Sequence, residues 1–466
     1  MRPCWRCPLA RSEREEAVLH QIRPQAAEQE EIQGVAHEII DAVNASGRAE
    51  AMLVGSVARR TWVRGDRDLD IFMLYDPALT REQLEEQGLA LARDIARRFG
   101  DEWREKYAEH PYINATIQGL DVDLVPCYRV ASGAEIRSAV DRTPFHTRYI
   151  RERIAPFVDD VLLLKQFAKA GGVYGSDQMT EGFAGYLCEL LILHYGGFLP
   201  LLRAAARWKP GLFIDIEGHA AKTFEEPMVV IDPVDPKRNV AASVSLSQMF
   251  AFVELCRGYL DEPSDLFFFR PAREPLTQEA FAALVAGRGT CLYAVTFATP
   301  PFIPDVVVPQ LRRSLEGVRA LLERSGFPVN RAEEAMGEER CMLLFELFSD
   351  RMPAVVRHIG PPLWSRENAE KFAGKWRKRE RFSGPYIEDG RYVVEVERRY
   401  TGAAALLASP EALGVGLGKH VKRAMEEEWA VLEGEACWSL EFALFLTEFL
   451  QKESPLSRIL QVGRRQ

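Results

Sequence analysis

Apolar positions along this chain recur first at helical and then at strand spacing, and each change of period marks an element. Within residues 15–48, Ile22 and then Ile32, Val35, Ile39, Ile40 and Val43 mark helical faces, closed by Asn44, Ala45, Ser46 and Gly47. The next stretch, Leu53 to Tyr75, reads LVGSVARRTWVRGDRDLDIFMLY. It predicts a strand, a turn at Gly55-Ser56, a helix from Val57 to Trp62, a turn at Gly65, and an alternating strand from Asp68 to Met73. Residues 80–108 read as one long helix with Leu84, Leu89, Leu91, Ile95 and Phe99 on its apolar face. Two alternating segments, Tyr112 to Ile117 and Leu120 to Val125, meet at Gly119 as a hairpin. Helical spacing returns from Asp159 to Lys169 and from Val244 to Tyr259. The apolar run 182–202 holds three glycines, Glu189 and His194, and predicts a buried core helix rather than a membrane span. Beyond residue 265, strands (Cys291 to Phe297, Arg340 to Phe348, Tyr392 to Val396) alternate with helices (Gln310 to Ser325, Ser365 to Lys375, Gly418 to Met425). That order suggests a split βαβ, ferredoxin-like domain with insertions. Segment 435–450 predicts a terminal helix that docks internally or carries a homodimer contact.

Length and composition narrow the class. At 466 residues, with 47% hydrophobic and 27% charged positions, the chain is long enough for several domains and has no disordered character. A net charge of −9 excludes a protein coated in positive charge, but leaves room for a local basic track on which RNA could lie. Eight scattered cysteines in mostly apolar context predict buried free thiols in a reducing cytoplasm. Cys4 and Cys7 form a CxxC without a second pair, too few ligands for structural zinc. No run is long enough to cross a bilayer, and the basic N-terminal 24 residues are expected to be an extension.

The candidate chemistry sits between the first two strands. Asp68 and Asp70 project to one side of their strand while Leu69 and Ile71 face the other. Two carboxylates so close repel unless they share a divalent cation, and Mg2+ prefers a pair of carboxylates together with phosphate oxygens. Gly55-Ser56 opens a helix, where free backbone N–H groups and the Ser56 hydroxyl attract phosphate, and Arg59 one turn on can fork onto its oxygens. Downstream, Asp121 and Asp123 share a strand face, so either could supply a third acid.

Ser56 and Asp68, twelve residues apart across one strand-helix-strand unit, resemble the signature of the polymerase-beta-type nucleotidyltransferases. The pattern GSxARxTWxxGxxxxD further resembles archaeal-type (class I) CCA-adding tRNA nucleotidyltransferases. The resemblance selects Asp123, which precedes Leu-Val-Pro-Cys-Tyr, over Asp121. It implies that Asp68, Asp70 and Asp123 hold two Mg2+ ions, with Asp123 as base for the primer hydroxyl. His146, in DRTPFH, then resembles a phosphate contact; Pro144 is expected to keep Thr143 extended and to present His146 at a bend. Lys165 and Tyr174 match triphosphate and nucleotide contacts. In DPVDPKRN the two Asp-Pro pairs predict a loop carrying Arg238, which by analogy reads acceptor atoms common to cytosine and adenine; the alternative is simple pairing with a neighbouring aspartate. Lys371, Lys375, Arg377 and Lys378, interleaved with Phe372 and Trp376, are candidates for the RNA backbone track.

The expected fold class is a multi-domain α+β chain. Its parts are an extension (1–24), a mixed-sheet nucleotidyltransferase head (25–152), a helical central domain with the base-reading loop (153–264) and a ferredoxin-like or RRM-like C-terminal region that binds tRNA (265–466). The resemblance implies addition of C, C and A to tRNA from CTP and ATP. It departs in two places, since Asp68 stands where glutamate is frequent and Val57 where an aromatic is usual. A poly(A) polymerase or other tailing enzyme shares the acids but lacks the two loops. A bacterial-type CCA enzyme would need an Arg-Arg-Asp that is absent here. A non-catalytic RNA-binding relic would have no need of three acids.

Overall fold

The computed structural model describes residues 11–100, 102–107, 111–132 and 135–465; Cys4 and Cys7 lie outside them. The chain divides into two compact units, Met1–Pro271 with Ser454–Gln466, and Ala272–Glu453.

The first unit opens with α1 (Glu13–Ile22), started by a capping box in which Ser12 Oγ accepts the Glu15 N–H. Its Val18, Leu19 and Ile22 are buried in the core of the central helices. The N-terminal 24 residues are therefore not all extension: the apolar face of α1 needs cover, and it contacts the helix at 158–171. Next come α2 (Ala26–Ala45), β1 (Glu50–Leu53), α3 (Gly55–Arg59), β2 (Asp68–Tyr75), α4 (Arg81–Phe99), β3 (Glu102–Tyr107), β4 (Pro111–Ile117) and β5 (Leu120–Tyr128). The five strands form one mixed sheet, in the order β1-β2-β5-β4-β3. Only β2 and β5 run parallel, a pairing that α4 and the strands after it allow by carrying the chain back. Ile39 and Val43 of α2 and Leu91 and Ile95 of α4 cover Leu69, Ile71, Val122 and Leu124 on one face. The acids of β2 and β5 are thereby left to the other face, as the period of two requires.

In the head, two helix ends differ from the sequence reading. Helix α3 spans five residues rather than reaching Trp62, because Arg60 turns left-handed at its end (φ 59°). The long helix expected over 80–108 stops at Phe99, and 102–107 form the edge strand β3. An edge strand needs no strict apolar alternation, so its pattern passes for an amphipathic helix.

Helices α5 (Thr143–Arg151), α6 (Val158–Gly171), α7 (Gly185–Tyr195), α8 (Phe198–Ala205) and α9 (Leu246–Asp261) make the central part. Thr143 is helical (φ −59°, ψ −39°) rather than extended, and Pro144 lies in the first turn of α5, where a missing N–H costs nothing. The apolar run 182–202 is two helices bent by 93° at Gly196 and Gly197, whose φ values of 78° and 132° suit glycine. Both are packed into the core around Phe167, whose ring lies against Phe198, Phe252 and Tyr259. Among the described residues no single helix is long and apolar enough to cross a membrane. Between α8 and α9 run β6 (Leu212–Ile214), β7 (Met228–Asp232) and β8 (Asp235–Asn239), so DPVDPKRN is a tight hairpin with its second half in a strand, not a free loop.

The second unit contains α10 (Gln278–Arg288), β9 (Cys291–Ala298), α11 (Pro304–Arg324), β10 (Val329–Met336), β11 (Arg340–Leu347), β12 (Val355–Pro362), α12 (Arg366–Arg377), β13 (Ser383–Glu388), β14 (Arg391–Glu397), α13 (Ala403–Leu407), α14 (Pro410–Leu413), α15 (Lys419–Glu427), β15 (Trp429–Glu433) and α16 (Ala443–Leu450). Its main sheet is antiparallel, ordered β10-β11-β9-β15, with β9-α11-β10-β11 followed at a distance by α15-β15. That is the split βαβ order expected, with β12, α12, β13 and β14 as the insertion. Of the two readings for 435–450, internal docking is realised: Leu446, Phe449 and Leu450 of α16 are buried with Phe281 and Leu344. The six described cysteines are free thiols, five of them buried.

Candidate active site

The acids meet across the parallel pair. Asp70 lies opposite Asp123, and Asp68 opposite Asp121, in the register of β2 with β5. On the other side of β5, Asn114 of β4 stands opposite Asp123. Its amide donates to Asp123 Oδ1 at 2.7 Å and also to Asp121 Oδ1. Asn114 thus fixes both carboxylates of β5, a role invisible without the strand register. Asp121 is exposed, in keeping with a solvated strand-face acid.

The turn after β1 closes over Asp70. Gly55 has φ 71°, and a Cβ there would collide with the Asp70 carboxylate, so only glycine lets the backbone come so near. The Val54 N–H reaches the Asp70 carbonyl at 3.0 Å, and Ser56 follows half-buried at the start of α3.

Electrostatics follow from this crowding. Burial, then the Asp123 charge, lifts Asp70 from 3.8 to about 6. Burial also raises Asp123, against the pull of the Asn114 hydrogen bond and the Lys106 charge. Asp68 is raised by burial and by Asp66 and Asp121, and is opposed by Lys169, whose ammonium contacts Asp66 at 2.6 Å. Among the described residues no three His, Cys, Asp or Glu side chains are already gathered around a common point. The donor set nonetheless fits a divalent cation: hard oxygen ligands, in register, each holding its proton more tightly than usual because burial and neighbouring acids outweigh the cations nearby.

The cations expected at the phosphates are engaged with protein groups. Arg59 is buried, with Nε on Glu189 Oε1 at 2.9 Å and Nη1 3.4 Å from Thr147 Oγ1. The Thr61 hydroxyl donates to the same Glu189 oxygen, and Glu189 Oε2 is buried without a partner. Lys165 is also buried, with Nζ donating to the Thr61 carbonyl at 2.7 Å, and burial lowers its pKa. The Tyr174 ring lies 5.3 Å from Lys169 Nζ, and burial raises the phenol.

A second cluster centres on the β7–β8 hairpin. The Asp232 side chain is fully buried and accepts four hydrogen bonds. His146 Nε2 and Arg238 Nη1 each lie 2.8 Å from Oδ2, while the Tyr186 hydroxyl (3.2 Å) and the Val234 N–H (3.0 Å) reach Oδ1. Burial alone would raise this carboxyl, but His146, then the Val234 N–H and Arg238, outweigh it and hold it at about 2. His146 therefore sits inside α5, stacked on Tyr186 at 4.2 Å and lowered in pKa by burial, rather than at a bend. Arg238 pairs with an aspartate, as the alternative reading had it, yet stays partly exposed on a cavity of about 590 Å³. Arg142, on the same cavity, places Nε 2.8 Å from Asp235 Oδ2. The lining does not include the acids of β2 and β5.

Sequence reasoning passed over Asn114, Glu189 and Asp232. Nothing local marks Asn114 before the register of β4 with β5 is known, and Asp232 reads in the sequence only as half of a turn-forming Asp-Pro pair. On the second unit, Lys375, Arg377 and Lys378 are exposed at the end of α12, Lys375 lies 5.5 Å from the Trp376 ring, and Lys371 pairs with Glu367 one turn away.

Three family descriptions match successive parts of the chain. They are a nucleotidyltransferase domain over 37–146, a tRNA nucleotidyltransferase second domain over 159–269 and a CCA-adding enzyme C-terminal domain over 288–434. A CCA-adding enzyme of Methanoregula boonei is 61% identical over 96% of this chain and 96% of its own length. Those of Methanosarcina acetivorans (41%; 93% of this chain, 97% of that one) and Haloarcula marismortui (41%; 90% and 94%) are also similar. With acids in register under a glycine turn and likeness running through every part, the chain belongs to the CCA-adding enzymes, the tRNA nucleotidyltransferases of archaeal type.

Proposed function

We propose that the protein adds C, C and A to the 3′ end of tRNA without a nucleic-acid template, taking CTP and ATP as substrates in the cytoplasm. The oxygen of the primer 3′ hydroxyl forms a bond to the α-phosphorus of the incoming nucleotide, and the bond from that phosphorus to the β-phosphate oxygen breaks. Pyrophosphate leaves, and the hydroxyl proton goes to the Asp123 carboxylate. The observation that carries this reading is the placement of Asp70 beside Asp123 across β2 and β5, with Gly55 pressed onto Asp70. Asp68, Asp70 and Asp123 would hold two Mg2+ ions, which when bound ease hydroxyl ionisation and offset triphosphate charge.

Ser56 and the backbone around Gly55 seat the phosphates. Arg59, Lys165, Tyr174 and His146 support them from the layer between head and central helices, and Arg238 meets the base. Lys371, Lys375, Arg377 and Lys378 hold the tRNA backbone, a reading supported by their exposure beside Trp376.

The test uses labelled CTP or ATP with tRNA lacking its last three nucleotides. Arrest after three additions is expected; indefinite growth on ATP alone would make it a poly(A) polymerase, and no incorporation a binding protein.

A further inference from the structure

We propose that Asp232 is the positioning residue of the base-reading cavity, one carboxylate that locks Arg238 and His146 together and so ties choice of base to seating of the phosphates. The inference rests on Arg238 and His146 having the roles given above, and adds a residue that no motif marks for this purpose.

Three observations carry it. First, Asp232 is fully buried while every acceptor site on it is taken, two by cationic or imidazole donors on one oxygen and two by a phenol and a backbone N–H on the other. An ion so placed is costly to desolvate and is retained where it fixes geometry. Second, its hold on Arg238 is one-sided: Nη1 is pinned, while the side chain remains partly exposed on the cavity. A free arginine loses rotamer entropy when it binds; a pinned one meets a base edge already ordered. Third, the device is repeated three residues on, where Asp235 takes Arg142 Nε with one oxygen and the Lys237 N–H with the other. Each Asp-Pro of the hairpin thus anchors one arginine of the cavity wall.

Tyr186 completes the unit, since its hydroxyl reaches Oδ1 while its ring stacks on His146. Movement of the imidazole is thereby passed to the carboxylate and on to the guanidinium. An asparagine at 232 keeps the shape but turns an amide N–H2 or a single neutral oxygen toward two donors, so Arg238 is released.

The experiment measures kcat/KM for CTP and for UTP on tRNA lacking its last three nucleotides. It uses Asp232→Asn, Arg238→Ala and the double variant, with thermal melting of each. Each single variant is expected to lower the CTP-over-UTP ratio by about tenfold or more, and the double no further than the worse single, because Asp232 acts through Arg238. A ratio that falls for Arg238→Ala but holds for Asp232→Asn would overturn the positioning role and leave base reading intact, and additive losses would overturn it too. A ratio unmoved by Arg238→Ala would remove base reading, and this inference with it. Should Asp232→Asn fail to fold, Tyr186→Phe deletes one hydroxyl from Oδ1. A severalfold drop that vanishes in the Arg238→Ala background supports the role, and no drop refutes it.

Discussion

Asp70, half-buried, and Asp232, fully buried, are both aspartates on strands, yet their surroundings drive them opposite ways. Asp232 is surrounded by donors and stays ionised down to about pH 2, so its stabilisation is present above the ordinary carboxyl range near 4 and is lost as pH falls toward 2. Burial, and then the acid beside it, lift Asp70 from 3.8 to about 6. A folded pKa above the unfolded one means that the protonated form stabilises: the contribution is whole below about pH 4 and disappears as pH climbs through about 6. Ionised Asp70 therefore costs up to ~3 kcal/mol near neutrality when no cation offsets it. In chelating buffer, Asp70→Asn is expected to raise the melting temperature at about pH 7.5 and leave it nearly unchanged at about pH 4, while nucleotide incorporation is lost and tRNA binding kept. Equal melting of variant and parent at both pH values would show that crowding of the acids does not set the Asp70 carboxyl. The alternation that exposed Asp68 and Asp70 in the sequence is a property of one strand, so it was readable from a few letters. The partner of His146 was not, because Asp232 is 86 positions away and nothing local points to it.

At the scale of elements, the strand-turn-helix at 50–59 was legible in outline and wrong in length, for a physical reason. Glycine and serine announce a turn, but the end of α3 is set by Arg60 entering the left-handed region, which arginine propensity does not foretell. Likewise, the constraint Pro144 places on Thr143 points to an extended residue and a bend, yet the helix begins one residue earlier, because proline fits a first turn. Gly55 offers the sharper test. Gly55→Ala combines positive φ with a Cβ driven into the Asp70 carboxylate, whereas Gly47→Ala has similar φ (64°) and open space. Both should lose roughly 1–3 kcal/mol of stability to backbone strain. Only Gly55→Ala is expected to slow nucleotide transfer as well, by about a hundredfold, since displacement of a reacting group by an ångström costs that much. Urea melts and single-turnover rates for the two variants separate strain from displacement, and equal rates would mean that the turn does not place Asp70.

For the whole molecule, a net charge of −9 poses the problem of how an acidic protein holds a polyanion. Its mean field opposes RNA, but salt screens that repulsion beyond about a Debye length, so affinity must come from short-range clusters of positive charge. In the second unit the exposed cations at the end of α12 are the proposed cluster, with the Trp376 ring 5.5 Å from Lys375 and 5.8 Å from Arg379. Lys371 contributes less, being paired with Glu367. Each phosphate contact releases counterions and adds roughly 0.7–0.9 to the slope of log affinity against log salt. Replacing Lys375, Arg377 and Lys378 by alanine together is expected to reduce that slope by ~2–3 and to weaken tRNA binding most at low salt. The rate of addition at saturating tRNA should stay as it was, because none of the three lies in the unit that carries the acids. Binding measured from low to high potassium chloride decides the matter: a parallel displacement of the line, with its slope kept, would mean that these side chains stabilise the surface without touching phosphate, and the RNA track would have to run elsewhere.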